Sequence, residues 1–137
     1  MDYKYKIRRL VKSGEENGNG IIFDKESTDK ALKFYVEKFH GGLLVPLPHD
    51  NYSMFDLAAS KVEDVVGLVS GFDDEYIYLS YVAEPYSYII EAIQKEYYAQ
   101  LCIIAKKDKD VDNLYITKRI LQIRLCSKPS DDLSVIV

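Results

Sequence analysis

Apolar residues recur along this chain with two different periods. Segments that alternate every second residue, or run apolar for a few positions, outnumber the helical ones by about three to one. Only two segments carry the helical period. The first runs from about 28 to about 40 and places Ala31, Leu32, Tyr35, Val36 and Phe39 on one face. Ser27 or Thr28 is its expected cap, Asp29 suits the positive first turn, and Gly41-Gly42 ends it. The second runs from about 85 to about 97, with Pro85 in the first turn and Tyr86, Ile89, Ile90, Ile93 and Tyr97 as its buried stripe. The side chains expected in the core from these helices are Leu32, Val36, Phe39, Ile89, Ile90 and Ile93.

The remainder reads as strands. Residues 3–12 set Tyr3, Tyr5 and Ile7 against Lys4, Lys6 and Arg8, and residues 13–20, rich in Gly and Asn, form a loop. A short apolar stretch at 21–23 follows, and further strands are expected at 43–47, 61–69, 75–83, 99–106 and 115–126. Ser70-Gly71-Phe72-Asp73-Asp74 reads as a hairpin turn, and 107–113 as a charged turn. Helices inserted singly among strands predict an α+β fold: a mainly antiparallel β-sheet or small barrel with two flanking helices. The 137 residues show no repeat and no dividing linker, so residues 1–137 are expected to form a single domain.

The net charge of −4 argues against a nucleic-acid partner, because phosphate neutralisation demands a basic surplus or stripe. The basic cluster Lys4, Lys6, Arg8 and Arg9 sits in an alternating segment and reads as a solvated strand face. No apolar run approaches the ~18 residues of a membrane span, and Met1-Asp2-Tyr3-Lys4 lacks a signal-peptide core. Two cysteines are too few for a disulfide scaffold. The expectation is a protein of a reducing cytoplasm, or of a particle assembled there, with no membrane partner.

Few residues suggest chemistry. The acidic turn from Asp108 resembles the opening of a calcium loop, but the positions that need Gly and a bidentate Glu hold Asn113 and Arg119. His40, His49, Cys102 and Cys126 show none of the paired spacings of structural zinc, so neither metal nor cofactor is expected. There remains Cys102 with His49, since a nucleophilic thiol needs a base such as His. Taken alone, Cys102 in Leu101-Cys102-Ile103-Ile104-Ala105 reads as a small buried hydrophobe and His49 as a surface residue.

The order of segments over about residues 18–133 resembles the prohead (capsid maturation) protease family of tailed phages, related in fold to herpesvirus assemblin. Gly41-Gly42-Leu43-Leu44 leading to Pro46-Leu47-Pro48-His49-Asp50 looks like the family's strand and catalytic-His stretch. Residues 61–69 and 75–83 resemble its hairpin, and Glu84-Pro85-Tyr86 through Tyr97 its helix. Ala99-Gln100-Leu101-Cys102-Ile103 stands where the family carries its serine, and 120–130 resembles the closing strand. The resemblance thus implies Cys102 as nucleophile and His49 as base. The departures are Cys for Ser, Ile104-Ala105 for the Gly or Arg-Gly that follows, and Gln122 for the frequent Glu of the last strand. Lys106 and Lys107 are the cations nearest in sequence to Cys102.

Resemblance and departures together imply a capsid-associated structural or assembly protein with a catalytically decayed site. Its expected partners are phage capsid or scaffold proteins, in an oligomer or larger assembly, and its expected location is the virion or host cytoplasm. The expected last strand stops short of the C-terminus with no removable tail in sight, which leans the same way. Two alternatives stay open: an active Cys/His peptidase that trims scaffold and capsid chains, and a small intracellular binding module or inhibitor.

Overall fold

The computed structural model describes residues 5–9, 12–17, 20–38, 42–44, 65–84, 98–126 and 133–136. They form a mixed α+β fold in which one helix packs on a curled sheet. The strands are β1 (Tyr5–Arg9), β2 (Ile22–Phe23), β3 (Gly42–Leu44), β4 (Val65–Phe72), β5 (Tyr76–Val82), β6 (Tyr98–Lys107), β7 (Leu114–Cys126) and β8 (Leu133–Ile136). The helix, α1, spans Lys25–Lys38 between β2 and β3. The second expected helix, with Ile89, Ile90 and Ile93, lies outside the described residues, as does Phe39. Among the described residues no helix is long and apolar enough to cross a membrane.

Six strands, β7-β3-β4-β5-β1-β6, make the curled half-barrel, and the β6–β7 hairpin links its two ends. The hairpins β4–β5 and β6–β7, with β1–β5 and β3–β4, are antiparallel. The sheet is mainly antiparallel, as expected, with short parallel pairings added at its seams: β1–β6, β2–β7, β3–β7 and β6–β8. The two longest strands, β6 and β7, each have an edge left over beyond their shared ladder, and short strands running the same way fill parts of it. β8 was not expected: Leu133-Ser134-Val135-Ile136 adds to β6 beside Cys102–Ala105, so strand structure continues past Cys126.

Tyr5 and Ile7 of β1, Ile77 and Leu79 of β5, Leu101 and Ile103 of β6, and Ile123 and Leu125 of β7 are buried in one core cluster with Phe23 and Leu32. The predicted alternation in β1 holds, with Lys6 and Arg8 exposed on the outer face. Arg9 departs from the solvated face read for it. Its Nη1 donates to the Asp73 carbonyl at 2.8 Å and its Nη2 to Ser13 Oγ at 3.0 Å, so it is buried and ties β1 to two loops.

The helix begins earlier than predicted because a different residue caps it. The Ser27 N–H donates to Asp24 Oδ2 at 2.9 Å, which makes Asp24 the N-cap. Ser27 and Thr28, the expected caps, instead pin α1 to the sheet. The Thr117 N–H donates to Ser27 Oγ at 3.0 Å, and the Thr28 and Thr117 hydroxyls lie 2.7 Å apart. Leu32 and Tyr35 are buried, and Val36 packs at the edge of the core.

Turn chemistry also moved the boundaries. Strand β4 runs through Gly71 and Phe72, and the hairpin turns at Asp73, whose Oδ1 accepts from the N–H groups of Glu75 and Tyr76. The turn between β6 and β7 is built alike, with Asp108 Oδ2 accepting from Asp110 and Val111. Gly67 permits a close approach of β4 to β5: a Cβ there would lie 2.7 Å from the Tyr81 carbonyl oxygen.

Candidate functional site

The centre of the β6–β7 ladder holds the sequence-predicted nucleophile. Cys102 pairs across the ladder with Gln122 and, along its other edge, with Leu133 of β8. Neighbouring Leu101 and Ile103 belong to the core, so strand alternation puts Cys102 on the opposite face. That face is nevertheless covered: Cys102 is 0% exposed. Directly opposed residues of an antiparallel pair share a face, so Cys102 and Gln122 stand side by side, as do Gln100 and Arg124.

Gln122 and Arg124 form the polar part of this cluster, at 3% and 4% exposure. Arg124 Nε donates to Gln122 Oε1 at 2.9 Å. The Gln122 Nε2 amide is buried with no hydrogen-bond partner among the described residues. Such a donor costs roughly 1–3 kcal/mol of desolvation, which argues for a retained arrangement more than for optimal packing.

Tyr35 of α1 reaches the same place. Burial pushes its phenol up to about 12, against the opposing pull of a hydrogen bond from the Ile123 backbone. Cys102 and Arg124 act on it electrostatically in opposite directions, Cys102 upward and Arg124 downward. At neutral pH this phenol is un-ionised.

The structure therefore brings together Cys102 and Gln122, two of the positions singled out in sequence. It adds Tyr35 and Arg124, which sequence reasoning did not assign to the site. In the sequence Arg124 reads only as part of the closing strand, and Tyr35 as one more member of an apolar helix stripe. The polar pair Gln122 and Arg124, two apart in the otherwise apolar stretch 120–126, was the available signal. His49 lies outside the described residues, so the Cys102–His49 pairing has no geometry here. What is described is the approach to it: β3 runs parallel to β7 with Leu43 opposite Ile123 and Leu44 opposite Arg124. Lys106 and Lys107 are exposed further along β6, and Lys107 Nζ lies 3.8 Å from Asp112.

Among the described residues no cluster of three or more His, Cys, Asp or Glu is placed to hold a metal. Asp108, first residue of the calcium-like turn, spends an oxygen on its own backbone. No protein-family model matches the chain, and no curated protein or solved structure shows significant similarity to it.

Proposed function

We propose that this chain is a structural assembly protein of a tailed-phage head, built on a prohead-protease-like frame whose catalytic centre is silent. The observation that carries the reading is the sealed Cys102 opposite Gln122. Peptide cleavage by a thiol needs a thiolate that meets the substrate carbonyl and a general base within reach. A thiol with no exposed surface meets neither substrate nor water unless the strand opens. Where the resembled family frequently carries a carboxylate, Gln122 supplies a neutral amide already engaged by Arg124. What is left is a polar cluster buried in a sheet, which suits a part that binds capsid or scaffold proteins within an assembly better than one that turns over.

Thiol reactivity tests this reading. Iodoacetamide should modify Cys102 of the native chain slowly at neutral pH, read peptide by peptide by mass spectrometry so that Cys126 is scored separately. Neither the native chain nor Gln122→Glu should cleave capsid or scaffold protein. Rapid alkylation of Cys102 that disappears in His49→Ala, or cleavage by either protein, would overturn the silent centre in favour of a Cys/His peptidase. Absence of the chain from both proheads and mature heads would overturn the assembly role.

A further inference from the structure

A groove of about 580 Å3 opens between α1 and β7, walled by Lys30, Ala31 and Phe34 on the helix and Thr117, Lys118 and Arg119 on the strand. It forms where β7 has left its pairing with β2 at Leu114–Tyr115 and has not yet met β3 at Ile123. Its walls are fixed, because the Ser27 and Thr28 hydroxyls hold Thr117. None of its lining residues belongs to the Cys102 cluster. Its volume lies within the ~300–1,000 Å3 typical of ligand sites.

Two properties single it out. The chain carries a net charge of −4, yet each charged side chain along the groove is cationic. Between them the floor is apolar, and Phe34 is 51% exposed, off the buried stripe of its own helix. An exposed aromatic ring among cations on an otherwise acidic molecule is complementary to an apolar side chain flanked by carboxylates.

We propose that this groove docks an acidic segment of a partner protein, seating an apolar or aromatic side chain against Phe34 and its carboxylates on Lys30, Lys118 and Arg119. The inference does not depend on the capsid reading, since an acidic peptide is recognised in the same way whatever the assembly. Such contacts are partly exposed, so binding is weakened by salt and serves a reversible association.

Displayed random peptides of about twelve residues, long enough to cross such a groove in extended form, are selected on the full chain. The peptides recovered are expected to carry an excess of Asp and Glu beside Phe, Tyr or Leu. They should bind the native chain at least about tenfold tighter than the double variant Lys30→Glu with Lys118→Glu, and weaken as salt rises. Both lysines are exposed, so the reversal leaves the fold in place. Phe34→Ala should weaken the same peptides without altering their salt dependence. Failure to enrich any peptide, recovery of peptides with no acidic excess, or equal affinity for the double variant would each sink the proposal. A single-stranded oligothymidine that displaces the peptides and loses affinity in the double variant would replace it with a nucleic-acid groove.

Discussion

The β1–β5 pair and the β6–β7 pair are both antiparallel ladders, yet they use their two faces in opposite ways. In β1 and β5 one face is core and the other meets solvent. Tyr5, Ile7, Ile77 and Leu79 are buried, while Lys6 and Arg8 stand over the Tyr76 ring, at 4.5 and 5.5 Å from its centre. In β6 and β7 both faces are covered. Leu101, Ile103, Ile123 and Leu125 fill the core, and Cys102, Gln122 and Arg124 are buried on the other side. Polar residues in a strand thus mean solvent in one ladder and an enclosed network in the other. Strand pattern alone does not tell them apart, because what decides is whether another layer lies on top.

The first way to break this comparison is to truncate the two-sided ladder. Leu101→Ala should cost about 2–5 kcal/mol in denaturant unfolding, because the surrounding strands are too constrained to collapse on the cavity. A loss below about 1 kcal/mol would mean that the ladder is looser than its burial implies.

The second concerns pH. The Tyr35 phenol, pushed up to about 12 in the folded chain, has an ordinary value near 10 when unfolded. Its contribution to stability is intact below pH 10 and is lost as pH rises through 12, because the unfolded chain ionises first. Two pH units correspond to about 3 kcal/mol at most. Tyr35→Phe should therefore lose less stability than the native chain between about pH 9 and about pH 11.5, measured by urea midpoints. Parallel curves for the two proteins would show that Tyr35 is solvated when folded, and the covered face with it.

The smallest effect belongs to the one-sided ladder. Tyr76→Ala removes a ring from beneath Lys6 and Arg8, and exposed cation–π contacts are each worth about 0.5–1 kcal/mol. A loss near 1 kcal/mol is expected from thermal or urea unfolding. A loss matching that of Leu101→Ala would erase the distinction between the two ladders.

The same physical contrast explains what could be read in advance. Local patterns located α1 and the described strands β1 and β3 through β7, since period and turn residues act over a few positions. Their ends slipped where a side chain had two possible duties. Asp24 outcompeted Ser27 as cap, because Ser27 and Thr28 were needed by Thr117, distant in sequence and adjacent in space. Asp73 held its turn two residues beyond Gly71, because its carboxylate collects two N–H groups at once. β8 escaped notice because four residues that pair in parallel leave no hairpin signal nearby.

The sequence by itself determined that this is a strand-rich α+β chain with helical segments set singly among strands, a Cys102 read as a small buried hydrophobe, and turns near 70–74 and 107–113. Those features follow from periodicity and from short-range hydrogen bonding, which depend on neighbours in the chain. Only the tertiary structure decided that Gln122 faces Cys102, that Arg9 turns inward, that Tyr35 joins Arg124, and that Lys30, Phe34, Lys118 and Arg119 share a groove. Each of these depends on strand register or on how a helix lies across a strand. A shift of one residue in register would send Gln122 to the opposite face, and no local pattern holds that information.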